Sequence, residues 1–287
     1  WAVYRSRPKR AIRVIPPGVD LSKFRPVRRF EGLPPVAASI DRFLAAPRKP
    51  MILALQRPDE RKNLATLIEA FGRSDELRRL ANLVLMIGSR DDLASLERGA
   101  RQEIERLLHL VDHYDLYGSV AYPKRHSPDD VPDLYRLTAA RRGVFVNPAL
   151  TEPFGLTLIE AAASGLPVVA TEDGGPRTIL ELCRHGRLVD PLDAGAIAGA
   201  LLALLGDRDE WLRASRAGVR GARRHFSWQG HVDTYLGYLK SLLRRRWSAE
   251  RPSSTPLLAA DRLLVTDIDN TLLGDDEGLA RLLVTLE

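Results

Sequence analysis

Residues 147–160 read N-P-A-L-T-E-P-F-G-L-T-L-I-E, a stretch that gathers groups suited to holding an anion next to a polyol. It follows the apolar run 143–146, which places it at the carboxyl end of an expected strand. Pro153 stops the extended chain, and Gly155 removes a side chain where backbone must approach something closely. From Leu156 onward the pattern is helical, so the amides of Gly155, Leu156 and Thr157 lack intrahelical acceptors. Open amides and the positive end of a helix dipole suit a diphosphate. Glu152 and Glu160 frame the turn. Next to an anion, their fitting partners are the neutral hydroxyls of sugar or ribose; the alternatives are a solvent-facing loop acid and an ordinary helix carboxylate.

A second group lies at 56–63, Q-R-P-D-E-R-K-N, after the apolar run 51–55. Arg57 and Lys62 flank a turn, and Asn63 is placed to cap the helix that follows. A planar bidentate donor with a mobile ammonium is the combination a departing pyrophosphate needs, and salt-bridged loop residues are the alternative. His109 and His113 stand four apart as in H-E-x-x-H, but position 110 is Leu and no third ligand is in sight, so surface histidines are expected. Cys183, near Arg184 and His185, is expected to be a packed free thiol and not an activated one.

The elements that must position these residues follow from the apolar patterning. The short runs 51–55, 83–87, 143–146 and 166–170 are apolar at nearly every position, as in parallel strands buried on both faces. Helical patterns lie between and beside them at 63–71, 93–111, 131–140, 156–163 and 176–183. The last of these has Pro176 in its first turn behind Gly174 and Gly175. Alternation of this kind predicts an α/β fold, a doubly wound parallel sheet whose ligands bind beyond the carboxyl ends of the strands. After Asp193 the pattern is helical to about Trp247. A Ser/Pro-rich linker covers 247–261, and a new strand opens at 262–267.

Composition bounds the function. At 287 residues, 45% of them hydrophobic and 28% charged, the chain has room for about two globular domains and is neither disordered nor fibrous. A lone cysteine excludes a disulfide scaffold within the chain and any cysteine-built zinc site, and favours a reducing compartment. The longest uncharged apolar run, 194–206, is short of the ~20 residues that cross a bilayer and reads as a helix packed on one side. The opening Trp1-Ala2-Val3-Tyr4 carries no initiator Met and no signal core, so a cytoplasmic protein cut from a longer one is expected. The net charge of +6 rests mainly on arginine, and Arg220, Arg223, Arg224 and 244–246 fall on helical stretches without interleaved aromatics. Solvated helix faces are expected there, with no nucleic-acid partner.

Several segments, in order and spacing, resemble the retaining GT-B glycosyltransferases of the glycogen/sucrose-synthase type, and among them the sucrose-phosphate synthase branch. They are I-L-A-L-Q-R-P-D-E-R-K-N (52–63), M-I-G-S-R-D-D-L (86–93), D-L-Y-G-S-V-A-Y-P-K-R-H (115–126), 130–149, the E-P-F-G-L-T-L-I-E run and A-S-G-L-P-V-V-A-T-E-D-G-G-P (163–176). The resemblance covers about residues 12 to 245. It implies a C-terminal Rossmann-like domain that binds UDP-glucose and transfers glucose to fructose 6-phosphate with retention, through an oxocarbenium-like transition state. Arg57 and Lys62 would hold the diphosphate, and the amides of Gly155, Leu156 and Thr157 would cradle it. Glu160 would bind ribose, Glu152 the hydroxyls of the transferred glucose, and Gly174 and Gly175 would border the donor sugar. Residues 16–20, P-P-G-V-D, match the segment joining two Rossmann-like halves, the first of which, with the acceptor site, would precede this chain. No cofactor is implied for the transfer.

The later run L-V-T-D-I-D-N-T-L-L (264–273) is an apolar strand ending in D-x-D-x-T. It resembles the first motif of haloacid-dehalogenase-like phosphatases, in the sucrose-phosphatase branch. That implies Asp267 as nucleophile, Asp269 as acid/base and Thr271 as a phosphate ligand, with Mg²⁺ bridging phosphate and the carboxylates of Asp267 and Asp269 in a complete domain. The expected layout is a connection at 1–30, a nucleotide-sugar domain at 31–246, a linker at 247–261 and the start of a phosphatase at 262–287. The alternatives are a sucrose synthase or mannosylfructose-phosphate synthase, with a different donor or acceptor, and a module that binds nucleotide-sugar without turnover.

Overall fold

The computed structural model describes residues 14–28 and 32–248, with side chains through 241. The chain divides into two units, Trp1–Leu239 and Lys240–Glu287. The first unit carries the fold described here. Of the second, the described part is the end of one helix.

Six parallel strands form one sheet: β1 (Met51–Leu55), β2 (Asn82–Met86), β3 (Val120–Ala121), β4 (Val144–Asn147), β5 (Val168–Thr171) and β6 (Gly186–Val189). Their order is β3-β2-β1-β4-β5-β6, so the winding reverses between β1 and β4. The helices are α1 (Val36–Asp41), α2 (Leu64–Gly72), α3 (Asp75–Leu80), α4 (Arg98–His113), α5 (Val131–Ala140), α6 (Leu156–Ala163), α7 (Pro176–Cys183), α8 (Ala194–Gly206), α9 (Arg208–His225) and α10 (Trp228–Ser248).

Central strands read as unbroken apolar runs because both faces are covered. Met51 and Leu53 of β1 pack with Tyr135 of α5, Leu158 of α6, Ile179 of α7 and Ala222 of α9. Ile52 and Ala54 pack on the opposite side with Leu67 of α2, Leu77 of α3, Ile104 of α4 and Leu201 of α8. The doubly wound parallel sheet is therefore as the patterning predicts. α8 buries Ile197, Leu201, Leu204 and Leu205 along one side, and no helix among the described residues is long and apolar enough to cross a membrane.

Several bounds differ from the sequence reading. β2, β4 and β5 lie one or two residues off, since Asn82 and Asn147 enter the strands as bonded polar residues while Leu166 and Pro167 stay in the turn. β3 and β6 escape the pattern because one is two residues long and the other is a half-exposed edge whose Arg187 pairs with Glu210. α1 and α3 are six-residue helices, too short to show periodicity. The stretch 93–111 breaks into a turn at Leu93–Ser95 and α4. α10 continues to Ser248, into the first residues of the stretch read as a linker.

The segment 16–20 crosses the start of α10. The Val19 amide donates to the Phe226 carbonyl at 2.8 Å, Val19 bridges Ser227, and His231 Nδ1 lies 2.8 Å from the Pro16 carbonyl. A Cβ on Gly18 would overlap the Trp228 backbone, so only glycine passes there.

Candidate functional site

The connections after β1 and β4 leave toward opposite faces of the sheet, which opens a crevice at their carboxyl ends. The loops that close around it are fastened to one another. Asp59 starts the turn Glu60–Lys62 by accepting from the Arg61 amide at 3.0 Å, and the Arg61 guanidinium pairs with the same carboxylate at 2.7 Å. Those bonds hold the Asp59 carboxyl down at about 2. The Leu150 amide donates to the Arg61 carbonyl at 2.9 Å, linking the β1–α2 turn to the β4–α6 loop.

Asn63 does not cap α2 with its side chain, contrary to the sequence expectation. It adopts a left-handed φ of 56°, and its Nδ2 donates to the carbonyls of Pro148 (2.9 Å) and Pro191 (2.7 Å). Thr66 donates to its Oδ1 at 2.7 Å. Buried between three loops, Asn63 is a clamp.

The turn delivers Lys62 to the crevice, where its Nζ lies 3.1 Å from Glu152 Oε2. Both side chains are mostly buried, with 24% and 15% of their surface exposed, so the pair is screened far less than a surface ion pair. The same Glu152 oxygen accepts from Asn147 Nδ2 at 3.1 Å, and Asn147 Oδ1 in turn accepts from Gln56 Nε2 at 3.2 Å. Arg57 takes another direction. It is exposed and lines a groove of ≈ 620 Å³ with Glu60 and with Glu97, Gln102, Glu103 and Arg106 of the α4 side. The structure thus brings Lys62 and Glu152 together and leaves Arg57 on a neighbouring wall.

Gly155 precedes α6 with φ 96°, a conformation that excludes most side chains, and a Cβ there would lie 3.0 Å from Leu158 Cδ1. The first bond of α6 runs from the Leu158 amide to the Gly155 carbonyl at 3.0 Å, so the amides of Gly155, Leu156 and Thr157 stand ahead of it at the open end. Gly174 and Gly175 lie against the backbone of the Glu152 loop. Glu152 and Gly174 form a parallel bridge, the Glu152 amide donates to Asp173 (3.3 Å), and the Gly175 amide donates to the Glu152 carbonyl (2.8 Å). A Cβ on Gly174 or Gly175 would overlap the carbonyl oxygens of Glu152 and Phe154, respectively. That close approach accounts for both glycines.

Glu160, one turn inside α6, accepts from the Tyr135 hydroxyl at 3.1 Å. Tyr135 is fully buried between the edges of Phe24 and Phe145. Burial raises the Glu160 carboxyl to about 7, against the opposing pull of the Tyr135 bond. The Tyr135 phenol is pushed well above its ordinary value by burial and by the Glu160 charge.

Sequence reasoning missed Gln56, Asn147 and Tyr135 as members of this site. It also missed a groove of ≈ 520 Å³ lined by Ser89, Arg90, Asp91, Arg125, His126 and Asp130, beyond the carboxyl ends of β2 and β3. Arg90 is 7% exposed, and among the described residues its Nη1 and His126 Nδ1 have no hydrogen-bond partner. The signal was present in the runs 86–93 and 115–126, which carried the family resemblance but no residue role. Cys183 is buried and its thiol is raised to about 12, which makes it inert at neutral pH. His109 and His113 are exposed on α4, and no group of three potential metal ligands occurs among the described residues. Asp267, Asp269 and Thr271 lie outside the described residues.

The family described as "Glycosyl transferases group 1" matches residues 37–220. A probable sucrose-phosphate synthase of Oryza sativa subsp. japonica is 47% identical over 268 residues, covering 85% of this chain and 26% of the rice protein. The sucrose-phosphate synthase of Zea mays is 45% identical over 260 residues, covering 84% and 24%. The chain thus spans about a quarter of the length of these curated relatives. Among solved structures, a Thermosynechococcus elongatus sucrose-phosphate synthase superposes with a TM-score of 0.65 at 27% identity, covering 81% of this chain and 53% of that one. Anabaena HepE, solved in complex with UDP and glucose, superposes with a TM-score of 0.64 at 19% identity (80% and 56% covered), a likeness of fold.

Proposed function

The chain belongs to the glycosyl transferases group 1 family, and from that premise we propose that it is the donor-binding half of a sucrose-phosphate synthase, taking UDP-glucose and passing glucose to fructose 6-phosphate with retention. The observation that carries this reading is the mostly buried Lys62–Glu152 pair beside the open amides of α6, where the winding of the sheet reverses. Lys62 and those amides stabilise the diphosphate as negative charge grows on it. Arg57, on the adjoining wall, joins them when the donor is bound. Glu160 takes the ribose hydroxyls and Glu152 those of glucose, and the glycines of 174–175 keep the intervening backbone thin. The relatives named as sucrose-phosphate synthases support the donor and acceptor. The acceptor phosphate would be held by a half of the enzyme that is not in this chain. The D-x-D-x-T at 267–271 fits the opening of a fused sucrose 6-phosphate phosphatase requiring Mg²⁺.

Calorimetric titration with UDP, UDP-glucose and GDP-mannose tests the reading. UDP and UDP-glucose should bind, and GDP-mannose should bind more weakly. Glu160→Ala should weaken UDP and UDP-glucose alike, by ~1–3 kcal/mol, while Glu152→Ala should spare UDP and impair UDP-glucose. A preference for GDP-mannose would replace the donor, and failure to bind any of the three would overturn the proposal.

A further inference from the structure

Asn147 ends β4 at the reversal point and is 2% exposed. Its amide orientation is fixed, because Oδ1 accepts from two donors, Gln56 Nε2 at 3.2 Å and the Ala149 amide at 3.3 Å. Turned over, it would set an NH₂ group against both. Nδ2 therefore faces Glu152, and it donates to the same Oε2 that Lys62 holds, each at 3.1 Å. Two donors converging on one oxygen set the rotation of the carboxyl group and leave Oε1 outside both bonds. Lys62 alone would not do this, since an ammonium on a flexible stem accepts many carboxylate orientations.

We propose that Asn147 is a positioning residue for donor recognition: it orients the Glu152 carboxylate so that Oε1 meets the hydroxyls of the transferred sugar, and it couples that carboxylate to the Lys62 ammonium on the diphosphate. This rests on the reading of Glu152 as the sugar-facing acid. The coupling spans the crevice, since Gln56 and Lys62 follow β1 while Asn147 and Glu152 belong to β4 and its loop. Among the described residues, the charged groups bonded at the contact are Lys62, on the β1–α2 turn, and Glu152 itself. Asp173, on the β5–α7 connection, meets Glu152 through its backbone carbonyl, and Gln56 does not titrate.

The test compares affinities for UDP and UDP-glucose in wild type, Asn147→Asp and Gln56→Ala, with thermal melts confirming folding. Asn147→Asp places a second carboxylate against Glu152. At pH 7.5 it should lower affinity for UDP-glucose about tenfold more than for UDP. Part of that loss should return at about pH 5.5, where two facing carboxyls share a proton. A purely structural asparagine would weaken both ligands together with no such pH recovery. Gln56→Ala, which removes one of the two donors that set the amide and leaves the Ala149 amide, should shift the same ratio in the same direction by a smaller factor. An Asn147→Asp chain that folds and keeps the wild-type ratio at both pH values overturns the proposal. If that variant does not fold, an unchanged ratio in Gln56→Ala overturns it. A Glu152→Ala chain that folds and keeps the wild-type affinities for both UDP and UDP-glucose overturns the reading beneath it.

Discussion

Glu160, proposed above to take the ribose hydroxyls, is a buried carboxyl bonded to the Tyr135 hydroxyl. Its carboxyl is raised to about 7 by burial, so near neutrality the ligand-free site holds a mixture of acid and carboxylate. Hydroxyl groups donate better to the carboxylate, and ligand binding should therefore pull the proton off. UDP affinity is expected to rise as pH passes from 6 toward 8, with net proton release. Titrations in two buffers of different ionisation enthalpy would measure that release directly. Glu160→Gln should flatten both the pH profile and the buffer dependence; a variant that still releases a proton would assign it elsewhere.

At the level of elements, α5, α6 and α7 begin and end where the sequence places them, because their starts carry chemical marks: Pro132 in the first turn, Gly155 with its positive φ, and Pro176. Asn63 shows where such marks fail. The same residue type caps a helix or tolerates a left-handed φ, and the choice here is made by the Pro148 and Pro191 carbonyls, 85 and 128 positions away in the chain. The Tyr135–Glu160 bond is likewise invisible to local reading, since α5 and α6 meet only once β4 has passed between them. The two roles of Asn63 predict different outcomes. As a cap, Asn63→Asp would be nearly neutral. As a clamp, it replaces a donor with an acceptor and should destabilise the chain at least as much as Asn63→Ala, by about 2–4 kcal/mol. Urea denaturation of the two variants distinguishes the roles.

For the molecule as a whole, two buried groups set opposing slopes in stability against pH. His185 is fully buried with its Nε2 3.1 Å from the Leu158 carbonyl, and burial lowers it to about 4. Between 4 and its ordinary 6.5 the unfolded chain binds the extra proton, so stability climbs with pH through that window and is fully present above it. Glu160 acts the other way. From its ordinary 4.5 up to about 7 the folded chain holds the extra proton, so stability falls as pH rises. Wild type should be nearly level between about pH 4.5 and 6.5, where the two cancel. Glu160→Gln should expose the climb due to His185, read from urea midpoints at half-unit pH steps. A level profile in that variant would contradict the pairing.

The seam where Gly174 and Gly175 lie under the carbonyls of Glu152 and Phe154 also bears on inheritance. Every amino-acid replacement reachable by one base change in a glycine codon adds a Cβ, and at these two codons each such Cβ would overlap backbone, which cannot swing aside as a side-chain tip can. Gly174 carries the further strain of φ 93°. Drift therefore has no nearby exit at either position. In a saturation library sorted for folded protein, 174 and 175 should come out empty down to alanine, while Gly199, with nothing within 4 Å of its would-be Cβ, should accept most replacements.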